Sequence, residues 1–228
     1  MKTPAIHSIK HAIIMAAGRG MRMMPLTEHV PKPMVTLDGS TLISYGINFL
    51  KKNIPNIHIT VGYKGNMVAE HTIQQGVNTI FNTEGKGNAW WIFNTLMKYL
   101  DAPLLVLTCD NVVELDLDRL NEEYVQLDSP AVVLVPVVPV KGMEGDYILH
   151  DHNKVTQLSR DIPTGLYCSG IQIINPAKLN TIAHPTESFY DVWNDTMKVG
   201  QLYCSDLYPT KWTAIDTVDQ LRNLNGID

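Results

Sequence analysis

At 228 residues, 45% of them hydrophobic, the chain is long enough to bury one sizeable core, and a single domain spanning 1–228 is the starting expectation. A formal charge of −5 excludes the broad basic surface that nonspecific nucleic-acid binding needs, while leaving room for a local cluster of cations around a small anion. Cys109, Cys168 and Cys204 form no CxxC pair and leave an odd count, which argues against a disulfide framework or zinc site and for a reducing compartment.

The opening MKTPAIHSIKH lacks the apolar stretch of a signal peptide. The most apolar run, Ala131 to Val140, falls short of the ~20 residues that span a bilayer and carries two prolines. A soluble, cytoplasmic protein with no membrane partner is expected. Along the chain, HAIIMAAG reads as an apolar strand ending in small residues, and 41–52 as a helix with Leu42, Tyr45, Phe49 and Leu50 on one face. IHITVGY (strand), 66–75 (helix), NTIFN (strand) and 88–100 (helix) follow, then the strand APLLVLTCD with Asp110 at its carboxyl end. This alternation predicts an α/β fold with a largely parallel sheet, whose ligands bind beyond the carboxyl ends of the strands. After residue 130 the strands AVVLVPV, DYILHD, KVTQLS and GLYCSGIQII are joined by turns. NPAKL, SFYDVWNDTMKVG and TVDQLRNLNG read as helices, the last two ending near glycine. No repeat, low-complexity segment or linker interrupts the chain, so the second half (about 126–228) reads as an elaboration of the first (about 11–125).

The segment AAGRGMRMMPLTEHVPKP, from Ala16 to Pro33, is the most informative. Gly18 and Gly20 allow positive φ and close approach of backbone N–H groups to phosphate. Arg19, Arg22 and Lys32 stand there against one acid, Glu28. Arg22 can fork onto two phosphate oxygens, and Pro31 and Pro33 stiffen the chain around the point charge of Lys32. A glycine turn with solvated cations is the plain alternative. The segment is not a Walker loop, and Met23 stands where a dinucleotide fingerprint needs its third glycine.

A strand running into AAGRGMRMMPLT and then PKPM resembles the signature loop of the sugar-1-phosphate nucleotidyltransferases and their phosphocholine cytidylyltransferase relatives. The resemblance covers most of the chain in order of elements. It implies a three-layer α/β/α, Rossmann-like fold of GT-A type with a mostly parallel mixed sheet. It also implies that Ala16, Ala17, Gly18 and Gly20 wrap the phosphates of an NTP, Arg22 assists pyrophosphate departure and Lys32 contacts phosphate. Asp110 resembles the family's metal aspartate, which makes Mg²⁺ the expected cofactor; alone, it is equally a turn residue beside Asn111. WTAIDTVDQL resembles the family's second metal element, with Ala214 at the usual aspartate position and Asp216 displaced by two. Asp216 is taken as the second ligand, against the alternative that it only caps the helix after it. In EGKGNAWWIF, Gly87 and Asn88 are placed to offer an N–H and an amide to the base, although Asn88 is also an ordinary helix cap. Arg160 and Gly170 are the candidate acceptor-binding residues. The histidines show no metal spacing.

The expected reaction moves an NMP from an NTP to a sugar 1-phosphate and releases pyrophosphate, a step in making cell-surface polysaccharide precursors. Two alternatives stand beside it: CTP-dependent transfer to a phospho-alcohol such as phosphocholine, and an inactive nucleotide sensor, motivated by Ala214. The base, the acceptor and any homo-oligomer are left open.

Overall fold

The computed structural model describes residues 8–140 and 145–225. β1 (His11–Ala16) runs into short helical turns that include α1 (Leu26–His29). β2 (Thr36–Leu37) and β3 (Ser40–Thr41) form a hairpin before α2 (Leu42–Leu50). Then come β4 (Asn56–Val61), α3 (Gly65–Gln74), β5 (Thr79–Asn82), α4 (Trp90–Asn94), β6 (Leu104–Thr108), β7 (Asn111–Glu114) and α5 (Leu117–Gln126). The second half adds β8 (Val132–Val137), β9 (Tyr147–Asp151), β10 (Lys154–Ser159), β11 (Tyr167–Ile174), α6 (Pro176–Ile182) and α7 (Phe189–Lys198). It ends with β12 (Leu202–Cys204), β13 (Lys211–Ala214) and α8 (Val218–Asn225); Gly226, expected near the end of that helix, lies outside the described residues.

Among the described residues, nine strands make one sheet in the order β5-β4-β1-β6-β11-β8-β12-β10-β9. The first four run parallel, β11 turns antiparallel to β6, and the rest mix both senses. Side chains alternate across β1: Ala12, Ile14 and Ala16 pack with Ile43, Ile47 and Leu50 of α2, whereas Ile13 faces Trp91 and Ile92 of α4. Both faces of the sheet are thus covered, α2, α3 and α5 on one and α4, α6 and α7 on the other, giving three layers. The two cores share aliphatic runs such as Leu104 to Leu107 and Val132 to Val135, alternate residues facing each, as a sheet covered on two sides requires.

One sequence expectation needs correction here. The helix expected over 88–100 breaks at Thr95, whose φ of −119° and ψ of 174° are extended. Its hydroxyl donates to the Trp91 carbonyl at 2.7 Å and accepts from the Met97 N–H at 3.2 Å, while the Asn94 amide bonds the Trp90 carbonyl. Side chains that compete for backbone groups end the helix after one turn, and a 3₁₀ turn over Leu96–Tyr99 follows.

β1 has β4 on one side and β6 on the other. Strand order reverses at that point, and a crevice opens beyond the carboxyl ends of β1 and β6. The glycine loop leaves the first of these strands and Asp110 the second.

Candidate active site

A cavity of about 480 Å³ occupies this crevice. Ala17, Gly18, Gly20, Arg22, Lys32, Gly87, Asn88, Asp110 and Asp216, all anticipated from sequence, line it together. Ala16 is buried in β1 just behind the loop, its N–H bonded to the Thr60 hydroxyl at 3.2 Å.

The two glycines differ. Gly20 takes φ +67°, and a Cβ there would lie 2.8 Å from the Cβ of Lys32; the Thr27 hydroxyl holds its carbonyl at 2.9 Å. Gly18, free to take positive φ, does not adopt it, and a Cβ there would meet nothing within 4 Å. Protein packing therefore demands glycine at 20 but not at 18, where the open side faces the cavity. Among the described residues the N–H groups of Gly18, Arg19 and Gly20 donate to no protein acceptor. Arg19 does not line the cavity and its guanidinium stacks over Tyr63, 5.2 Å from the ring centre.

Asp110 and Asp216 are far apart in sequence and meet because β7 and β13 pair antiparallel, with Asn111 opposite Ala214. Asp110 precedes one strand and Asp216 follows the other, and the Ile215 N–H bonds the Asp110 carbonyl at 3.1 Å. The next helix is capped without Asp216. Thr217 accepts from the Gln220 N–H, and the Gln220 side chain returns to the N–H groups of Asp216 and Thr217 at 2.7 and 3.0 Å. This capping box leaves the Asp216 carboxylate to the site. Asp219 is a solvated first-turn charge, 3.9 Å from Arg222.

Lys32 stands between the carboxylates. Its side chain is 10% exposed, and Nζ lies 2.5 Å from Asp110 Oδ2 and 2.7 Å from Asp216 Oδ1. Burial alone would lower its pKa, but the charge of Asp110 and the hydrogen bonds to both carboxylates more than reverse this, and the ammonium is held above the usual lysine value. Arg22 reaches Asp216 from the open side at 3.0 Å, with its own side chain 61% exposed. Two anions and two cations thus converge at the cavity floor.

On the opposite wall, the loop at 85–88 is pinned by a segment a hundred residues away. The Gly87 N–H donates to Glu187 Oε2 at 2.8 Å, the Ala89 N–H to the Glu187 carbonyl at 3.1 Å, and the Phe189 N–H to Asn88 Oδ1 at 3.0 Å. The Gly87 N–H expected to meet a base is therefore engaged by a carboxylate. Asn88 caps not its own helix, which starts from Ala89, but the first turn of α7. Sequence reasoning missed Glu187, and no local signal marks it.

The acceptor candidates lie outside the cavity lining. Arg160 Nε pairs with the buried Asp146 at 3.2 Å. Gly170 sits in a bulge of β11 at φ +82°, where a Cβ would come within 3.2 Å of Thr108 Oγ1, directly behind the cavity wall. Among the described residues no helix is long and apolar enough to cross a membrane.

The nucleotidyl transferase family model matches residues 11–158, which takes in the glycine loop, Lys32, the 85–88 loop and Asp110. The chain belongs to the nucleotidyl transferase family. Among curated relatives of this family, the choline-phosphate cytidylyltransferase of Streptococcus pneumoniae is 28% identical over 229 residues, covering 95% of this chain and 97% of its own. The bifunctional protein GlmU of Methanocaldococcus jannaschii is 31% identical over 157 residues. The chain spans about a third (35%) of the length of GlmU from that organism and from Methanococcus aeolicus. Of solved structures, the CTP:phosphocholine cytidylyltransferase of S. pneumoniae superposes with TM-score 0.74 at 26% identity, covering 95% of this chain and 97% of that one. The inositol-1-phosphate CTP transferase of T. maritima superposes with TM-score 0.75 at 18% identity, covering 96% of this chain and 96% of that one, a likeness of fold.

Proposed function

We propose that the chain transfers a nucleoside monophosphate from an NTP to a phosphorylated small molecule and releases pyrophosphate. The observation that carries this reading is the convergence of Arg22, Lys32, Asp110 and Asp216 on the cavity floor beside a loop with open N–H groups. Such a site offers backbone donors and two fixed cations to a polyphosphate.

The donor set also fits Mg²⁺. Oxygens of Asp110 and Asp216 already close on one cation, the Lys32 ammonium, and Mg²⁺ takes one or two carboxylates plus substrate oxygens. Among the described residues no group of three or more His, Cys, Asp or Glu gathers as a metal centre, in keeping with a site completed by substrate. When bound, the ion neutralises charge on the phosphates. Asp216, two residues beyond Ala214, brings a carboxylate to the cavity and onto Lys32, whereas Ala214 does not line it. This supports a catalytic reading over a non-catalytic sensor.

In the proposed reaction a phosphate oxygen of the acceptor attacks the α-phosphorus, the bond to the bridging oxygen breaks, and pyrophosphate departs with its electron pair. A phosphate monoester is largely dianionic near neutral pH, so the reaction calls for no side-chain base. The loop N–H groups orient the phosphates, Arg22 meets charge building on the leaving group, and Lys32 turns from the carboxylates to the phosphates as they enter.

A phospho-alcohol acceptor is favoured over a sugar 1-phosphate by the near-full-length match to a choline-phosphate cytidylyltransferase. Pyrophosphate release with Mg²⁺, each NTP being paired with sugar 1-phosphates and phosphocholine, tests both levels. Acceptor-dependent release is expected from one pair. Asp110→Ala should cut that rate at least about a thousandfold in a protein that still folds; a near-normal rate overturns the assignment.

A further inference from the structure

The turn that follows β4 grips the glycine loop from behind. Gly62 lies against the start of the loop: a Cβ there would come 2.5 Å from the Ala17 carbonyl oxygen, so so close an approach needs glycine. The Tyr63 N–H donates to the same carbonyl at 3.2 Å. At the far end of the loop, the Tyr63 hydroxyl donates to the Thr27 carbonyl at 3.1 Å. Thr27 is buried, and its own hydroxyl holds the Gly20 carbonyl at 2.9 Å. Between these anchors the Arg19 guanidinium rests over the Tyr63 ring. Lys64 completes the grip, donating from Nζ to the Glu28 and His29 carbonyls at 2.5 and 2.9 Å, where the end of α1 favours a cation.

Three consecutive residues thus fasten both ends of the loop to one strand of the sheet, and Tyr63 touches it at Ala17, Arg19 and Thr27. The stretch between the anchors carries Arg22 and the N–H groups that meet no protein acceptor. Those N–H groups have no hydrogen bonds of their own to fix their direction. A brace from outside fixes it before a ligand arrives and lowers the ordering cost of binding. Tyr63 does not line the cavity, so whatever it contributes passes through the loop.

We infer that Tyr63 is a positioning residue for phosphate binding: by tying Thr27, and through it Gly20, to the anchor at Ala17, it keeps the N–H groups of Gly18, Arg19 and Gly20 aimed at the phosphates. The ring adds a seat for Arg19, the residue between the two glycines. The inference rests on the nucleotidyl-transfer reading and adds to that site a residue outside the cavity.

Inorganic pyrophosphate with Mg²⁺ is the probe, because it engages the loop without a base. Calorimetry gives its dissociation constant for wild type, Tyr63→Phe and Tyr63→Leu, with a thermal melt of each. Tyr63→Phe keeps the ring and the backbone N–H and loses only the bond to Thr27, so affinity should fall about threefold or more. Tyr63→Leu loses the ring as well, and the fall should reach about tenfold or more. In turnover, KM for the NTP should rise in the same order while KM for the phosphorylated acceptor stays within about twofold of wild type. A general loosening of the fold would not produce that split.

Wild-type pyrophosphate affinity in Tyr63→Phe, or an equal rise in both KM values, overturns the inference and leaves nucleotidyl transfer standing, whether or not Tyr63→Leu folds. A wild type that binds neither pyrophosphate nor any NTP overturns both.

Discussion

Taking a lysine ammonium out of water costs several kcal/mol per ion unless carboxylates accompany it, and Lys32 has two, at 2.5 and 2.7 Å. The arrangement is self-consistent without nucleotide: Lys32 and Arg22 balance Asp110 and Asp216. Under the proposed reading, a divalent cation competes with this tethered ammonium until phosphates draw Lys32 away. Lys32→Met removes the competitor and leaves two converging carboxylates. Nucleotide-free Lys32→Met should bind Mn²⁺ at least about tenfold more tightly than nucleotide-free wild type, counted by the loss of the free-ion paramagnetic signal. Equal affinity in the two proteins would show that the ammonium does not guard the site. Turnover of the variant should fall about a hundredfold or more, because a cation aimed at the phosphates is gone. Lys32 and Arg22 were legible in sequence because prolines and glycines fix them locally. Glu187 was not, because its partners lie a hundred residues away and nothing in HPTES distinguishes a loop-pinning glutamate from a solvated one.

Among the elements, those with a strong apolar period were read to within a few residues, β1, α2, β4, α3, β5 and β6 among them. What escaped was decided by pairing or by competing side chains. β7 is only four residues long and exists through β13, so the meeting of Asp110 with Asp216 could be anticipated only by resemblance. α4 was overextended because its pattern continues through Thr95, where a hydroxyl overrides it. The two cavity walls should respond differently to the same added methyl. Gly87→Ala drives a Cβ to 2.1 Å from a backbone carbonyl and must part the 87–89 loop from the start of α7. It should destabilise the fold by about 1–3 kcal/mol and weaken nucleotide binding as well. Gly18→Ala meets no protein atom within 4 Å, so its melting curve should stay within about 0.5 kcal/mol of wild type while nucleotide affinity drops, because the methyl enters the cavity. Paired thermal melts and NTP titrations separate the cases, and a destabilised Gly18→Ala with normal affinity would contradict the placement of the phosphates.

On the scale of the whole molecule, one sheet joins the first and second halves of the chain, and its parallel part contains a buried titratable pair away from the cavity lining. His58 on β4 is 7% exposed, and its Nε2 lies 3.2 Å from Nδ1 of His11 on β1, the rings stacked at 5.5 Å. His58 Nδ1 is buried with no partner among the described residues, and Phe81 of β5 covers the ring at 6.4 Å. Burial first, and then the charge of His11, depress the His58 pKa to about 4. Burial lowers His11 as well. The folded protein therefore keeps His58 neutral at a pH where the unfolded chain, with a pKa near 6.5, takes up a proton. Unfolding then binds protons, so stability is full above about pH 6.5, declines as pH falls towards 4, and levels off below that for this group. The whole span amounts to roughly 3 kcal/mol. Urea unfolding between pH 6.5 and 5, where most carboxylates remain ionised, should show the decline, and His58→Gln, which cannot titrate, should lose most of it. Equal slopes in the two proteins would mean that the acid sensitivity arises elsewhere. The same burial makes the strand interior indifferent to pH in the range where a dianionic phosphate acceptor reacts, which separates the stability profile from the rate profile: the first falls below about pH 6.5, and the second follows the second ionisation of the acceptor phosphate near pH 6.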